Sequence, residues 1–182
     1  MNTHTISTSV SLSGKGLHTG KQVNVTFNPA PEHTGVVFRR VDLPGQPIVH
    51  AIATNVFDTS RGTSLKENNA EVRTVEHLMA ALAGLQIDNV IVDIDAEETP
   101  ILDGSSRFYV EALQKAGVVE QKQEREYFVV TEPMTFSIPE KQIELRAEPF
   151  DGFELKVDVD YGTAVLATQT AELNDINNFY PD

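Results

Sequence analysis

Lys21-Gln-Val-Asn-Val-Thr-Phe-Asn-Pro29 places Val23, Val25 and Phe27 at every second position, the period of a strand with one buried face. The pattern returns in the second half of the chain. Lys141-Gln-Ile-Glu-Leu-Arg-Ala-Glu-Pro149 matches it position by position, with Ile143 and Leu145 where Val23 and Val25 stand. Each proline is followed by a turn ending in glycine, Gly35 or Gly152, and then by another strand pattern that closes near an aspartate. Two hairpins can match by chance, but a duplicated domain accounts for more of the correspondence.

Around the first copy, alternation and turn residues predict strands over residues 5–12, 23–27 and 36–41, and a looser region over 50–72. A helix over 74–83 follows, then an apolar strand over 89–94 and a turn over 99–104. A second helix is capped by Ser105 or Ser106, carries Phe108, Tyr109, Ala112, Leu113 and Ala116 on its apolar stripe, and ends at Gly117. This is an α+β pattern: a mainly antiparallel sheet with helices on one face. The charged stretch 120–126 reads as a surface crossing between a first domain, 1–122, and a second, 123–182. After it the strand pattern resumes over 127–131, 135–138, 143–147 and 153–159, and residues 174–182 are polar and turn-like. The first copy takes about 120 residues to finish and the second has about 60, so a complete first domain and a truncated second are expected. An unfinished sheet leaves unpaired edges, and self-association is the expected consequence.

The helix has its own chemistry. In Thr74-Val-Glu-His-Leu-Met-Ala-Ala-Leu-Ala-Gly84, with Thr74 as N-cap, Val75, Leu78, Met79 and Leu82 recur on one face. At about 100° per residue, His77 points away from that stripe and Glu76 lies to its side. Ala80, Ala81 and Ala83 keep the remaining surface small enough for close approach, and Gly84 is the stop. A neutral imidazole at His77 can ligate zinc, and a carboxylate at Glu76 can take a proton from water. A glutamate in a first turn also suits the helix dipole, and a lone surface histidine needs no function. With no His-Glu-x-x-His motif, the usual second ligand one turn along is absent.

Composition narrows the classes. Of 182 residues, 40% are hydrophobic and no run is long enough to cross a membrane, so no transmembrane span is expected. The first ten residues lack the basic start and apolar core of a secretory signal, which favours the cytoplasm. The absence of cysteine excludes disulfides and thiolate metal sites. A net charge of −13 and no tryptophan argue against nucleic acid as a partner. Arg39-Arg40 with Lys21, or Arg61 with Lys66, form local basic groups for a phosphate or simply a solvated surface. His4, His33 and His50 lack metal-ligand spacing and are expected to face solvent.

Five segments then occur in one order: Ser13-Gly-Lys-Gly-Leu-His-Thr-Gly20, Gly35-Val-Val-Phe-Arg-Arg-Val-Asp42, the 74–84 helix, Ile87-Asp-Asn89 and Pro100-Ile-Leu-Asp-Gly-Ser105. Together they resemble the UDP-3-O-acyl-N-acetylglucosamine deacetylase family, the zinc enzymes of lipid A biosynthesis. The resemblance runs across essentially the entire chain and is densest through Ser105. It implies two similar α+β domains with the active site between them, zinc as cofactor, and UDP-linked acylated N-acetylglucosamine as substrate.

By that resemblance Glu76 is the general base and His77 is one of three zinc ligands. The other two, in a His-Lys-x-x-x-Asp pattern, and a later catalytic histidine belong to the second domain, and none of these motifs is present. The zinc site is therefore expected to be incomplete and the isolated chain inactive, with the remainder of the second domain needed to complete it. The implied reaction is hydrolysis of the N-acetyl amide. Residues 58–64 match the insert that borders the site, which puts Arg61 and Thr63 on the substrate side. His18 lines the cleft or fixes its own loop. Asp103 orients a histidine or makes an Asp-Gly turn. Some relatives are fused to a hydroxyacyl-carrier-protein dehydratase, and residues 163–170 resemble that lineage. The competing expectation is a non-catalytic α+β binding or structural domain that retains the fold.

Overall fold

Strand β1 (Asn2–Ile6) stops where Ser7-Thr8-Ser9 interrupts the apolar alternation, and β2 (Val10–Lys15) starts afresh in a different sheet. The single strand expected over 5–12 is therefore two. The backbone between them is tied down by Ser7 N–H to the Gly117 carbonyl at 2.7 Å and by Thr8 N–H to Ala116 at 3.2 Å. The structure is a computed structural model and describes residues 1–176, so the last part of the polar 174–182 segment lies outside the described residues. The chain divides into one compact unit over residues 1–125 and another beginning at Glu126.

In the first unit β3 (Gln22–Pro29), β4 (Val36–Arg40), β5 (Ile48–His50), β6 (Val56–Asp58), β7 (Ser64–Glu67) and β8 (Ala70–Val72) precede helix α1 (Glu76–Gly84). Strand β9 (Val90–Ile94), helix α2 (Arg107–Ala116) and β10 (Val118–Glu124) complete it. The main sheet has the order β2-β3-β9-β4-β5 and is antiparallel except for the β4–β9 pair. Val25, Phe27 and Pro29 stand opposite Ile94, Val92 and Val90, and Phe38 of β4 stands beside Val92. That face carries fully buried Val23, Val25, Phe27, Phe38 and Val92. Tyr109 of α2 meets Phe27 edge-on at 6.2 Å, which fixes the helix layer over it. Each such fully buried side chain contributes about 1.5–3 kcal/mol of transfer free energy. The opposite face is polar: Arg39 Nη2 bonds Asp93 at 2.8 Å, and Asn24 bonds Asp95. The α+β expectation of a sheet with helices on one face is met.

Three expectations in this unit need correction. Residues 120–126 are not a surface crossing, because 118–124 form β10, which pairs antiparallel with β1. The polar alternation there serves the pairing: Gln121 accepts from Asn89 Nδ2 and donates to the Ala30 carbonyl, while Arg125 closes the strand end with a bidentate bond to Asp88. Residues 50–72, expected to be loose, contain the sheet β6-β7-β8, whose strands are too short for alternation to register. Phe108 is half-exposed under the Arg107 guanidinium, and Val110 takes its place in the core.

Helix α1 also differs from expectation. It starts at Glu76, and the residue at its N-cap is Val75, which makes no side-chain cap bond. Thr74 has φ +57° and its hydroxyl is used elsewhere. Ala81 is fully buried with Leu78 and Leu82 rather than free for a ligand, whereas Ala80 and Ala83 remain exposed.

The second unit consists of two separate hairpins among its described residues, β11 (Met134–Ile138) with β12 (Ile143–Ala147) and β13 (Leu155–Val159) with β14 (Gln169–Leu173). Residues 127–131 form no strand, the strand expected from 153 begins at Leu155, and β14 was not foreseen. No described residue of this unit is buried.

Candidate functional site

Glu76 and His77 open α1, and both are half-buried. The Glu76 carboxylate is gripped by the loop between β6 and β7. Thr63 N–H donates to Glu76 Oε2 at 2.9 Å, and Val75 N–H donates to the Thr63 carbonyl at 3.2 Å. Gly62 makes the approach possible. Its φ is +144°, and a Cβ there would stand 2.6 Å from Glu76 Oε1. Only a glycine lets the loop lie this close to the carboxylate.

The loop is held from its other side by His18, whose Nε2 lies 3.2 Å from the Arg61 carbonyl. His18, Thr19, Asp58, Arg61, Gly62 and Thr74 help to line a cavity of about 460 Å³. A smaller apolar cavity of about 160 Å³ lies beside it, lined by Ile52, Val56, Leu65, Val75 and Met79 among others. Thr63 stands at the border, donating to Glu76 and lining the apolar cavity. The structure thus brings His18, Arg61, Thr63 and Glu76 into one cluster with His77 next in sequence.

Asp103 finds its partners locally. It accepts from Ser105 N–H at 3.0 Å and Ser105 Oγ at 2.9 Å, and these bonds hold its carboxyl below the usual range. The basic groups are largely neutralised: Arg39 pairs with Asp93, Arg40 with Asp42 and Lys21 with Glu97, while Lys66 lies over the Phe57 ring. His4 is half-buried beside Arg125 and Asp88, and His50 Nδ1 lies 2.8 Å from Glu67, so neither is the free surface histidine expected. His33 is exposed.

One residue at the site escaped the sequence reading, and another was given a different role. Glu98 is buried, yet its carboxylate accepts from His18 N–H at 2.9 Å, Thr19 N–H at 2.8 Å and Thr74 Oγ1 at 3.0 Å. Burial alone would raise its pKa, but these donors outweigh it and hold the carboxyl below its ordinary value. Thr74, expected as the N-cap of α1, is instead a β-branched residue in the left-handed region whose hydroxyl serves Glu98. The acidic pair Glu97-Glu98 after an apolar strand was the only sequence signal for Glu98.

Among the described residues no group of three or more metal-ligating side chains converges. His77 has the chemistry of a zinc ligand, but one imidazole does not make a zinc site, which takes three or four protein donors.

A family model described as "LpxC: UDP-3-O-acyl N-acetylglycosamine deacetylase" matches residues 3–181. The chain belongs to the LpxC family. A protein named bifunctional enzyme LpxC/FabZ from Porphyromonas gingivalis is 45% identical over 168 residues, which is 92% of this chain and 36% of that protein. One of the same name from Bacteroides thetaiotaomicron is 42% identical over 175 residues, 96% of this chain and 38% of the relative. A UDP-3-O-acyl-N-acetylglucosamine deacetylase from Bdellovibrio bacteriovorus is 43% identical over 166 residues, 91% of this chain and 54% of the relative. The chain therefore spans between 36% and 54% of the length of these LpxC-family relatives. The bifunctional names agree with the fused lineage that residues 163–170 resemble. Zinc dependence comes with the family.

Proposed function

We propose that this chain is the first part of a zinc-dependent amidohydrolase that removes the N-acetyl group from UDP-3-O-acyl-N-acetylglucosamine in lipid A biosynthesis. The observation that carries the reading is the Glu76 carboxylate, fixed by Thr63 N–H and seated over Gly62, with His77 next to it in sequence at the start of α1. Residues from 126 onward are the opening strands of a second, similar domain, whose remainder supplies the missing ligands. His77 contributes one imidazole to the zinc, which when bound supplies Lewis acidity toward an amide carbonyl and acidifies water.

The chain's own residues do the rest. Thr63 holds one Glu76 oxygen and so sets the plane of the carboxylate. The remaining lone pairs are left to accept the proton of the attacking water and hand it on to the departing amine. Arg61 and Thr63 stand on the substrate side, and His18 braces the loop that carries them. Acetate release by the family-length protein tests the reading. Glu76→Gln is expected to lower kcat by about 10²–10⁴-fold, the range for losing a general base. Unchanged turnover in that variant would contradict it.

The lack of a converging ligand set among the described residues favours a second reading, a non-catalytic α+β domain. It predicts that a chain extended to family length still binds no zinc.

A further inference from the structure

The buried carboxylate of Glu98 takes no part in the chemistry described above, yet both supports of Glu76 converge on it. The first is the start of α1. Thr74 stands two residues before Glu76 with φ +57°, a strained conformation for a β-branched residue that persists only where its surroundings impose it. The segment 97–99 imposes it. Thr74 Oγ1 donates to Glu98 Oε1 at 3.0 Å, Thr99 Oγ1 donates to the Thr74 carbonyl at 2.5 Å, and backbone bonds link Arg73 to Glu97 and Thr99 to Arg73. With no side-chain cap at Val75, this tie is what aims the first turn.

The second support is the loop over the carboxylate. The same Glu98 oxygens hold the His18 and Thr19 amides, and His18 Nε2 reaches the Arg61 carbonyl next to Gly62 and Thr63. Gly16 makes room for this, because a Cβ there would collide with Glu98 Oε2.

We propose that Glu98 is a positioning residue: its carboxylate fixes Glu76 from both sides, through Thr74 and through the His18–Arg61 contact. The proposal rests on the deacetylase reading for its kinetic test only. In the family-length protein, Glu98→Gln replaces one of the two accepting oxygens with an NH₂, so His18 N–H, Thr19 N–H and Thr74 Oγ1 can no longer all be held as they are. A misplacement of about 1 Å at a reacting group costs about 100-fold, so kcat is expected to fall by that order while KM stays within about twofold. Thr74→Val, which keeps the shape and loses the hydroxyl, should reproduce the kcat loss, and Thr74→Ser should recover most of it.

A folded Glu98→Gln protein with kcat within about twofold of the parent would overturn the proposal. If that variant does not fold, equal kcat in Thr74→Val and Thr74→Ser would overturn it. If the parent itself releases no acetate, the deacetylase reading fails and positioning is judged on this chain by amide exchange at Thr63, whose N–H Glu76 holds. Faster exchange in Thr74→Val than in Thr74→Ser supports the proposal, and equal exchange overturns it.

Discussion

The same strand occurs twice in this chain with opposite fates. Val23, Val25 and Phe27 of β3 are fully buried, whereas Ile143 and Leu145, their counterparts in β12, are 47% and 67% exposed. The local pattern and the preceding hairpin partner are alike, β2 for β3 and β11 for β12. The difference is cover. In the first unit β9 pairs along the free edge of β3, and Tyr109 of α2 closes over Phe27. Alternation therefore specifies which face of a strand is apolar, but a core forms only when another layer arrives to bury it.

The sharpest test of this contrast is a pair of truncations. Phe27→Ala should cost about 3–5 kcal/mol of stability, and Leu145→Ala about 0.5 kcal/mol or less, read from denaturant midpoints. Similar costs would break the comparison. The bare strands should next declare themselves in association. Light scattering of this chain should show mass rising with concentration, and Leu145→Lys with Val157→Lys should return it toward the monomer.

A smaller effect separates the units in acid. The Glu98 carboxyl titrates below its unfolded value of about 4.3, so the folded state binds fewer protons than the unfolded one. The stability it contributes is fully present above that value and is lost as pH falls through the lower, folded value. Acid unfolding of the first unit should therefore be less steep in Glu98→Gln, as followed by circular dichroism. The least effect is expected at Lys21, whose exposed pair with Glu97 makes Lys21→Gln cost under about 1 kcal/mol.

Long periodic elements were legible from sequence. The 3.6-residue period around Leu78 and Leu82, and the two-residue period around Val25 and Phe27, each appear in the structure. What stayed hidden was decided by partners far along the chain. Residues 120–126 look like a solvated run until β1 pairs beside them, and β6 to β8 are too short to show a period. Thr74 looks like an N-cap because its hydroxyl is of the right type, but Glu98 captures that hydroxyl from 24 positions away. The Glu76-His77 pair was visible as chemistry. The clasp of Gly62 and Thr63 on Glu76 was not, because it depends on how a loop folds back.

Zinc content offers the most direct test of a half-site in this segment. Metal analysis should find well under one zinc per copy of the 182-residue chain, one per copy of the family-length protein, and loss of that zinc in its His77→Ala variant. Stoichiometric zinc on the short chain, or full zinc retained without His77, would contradict the account.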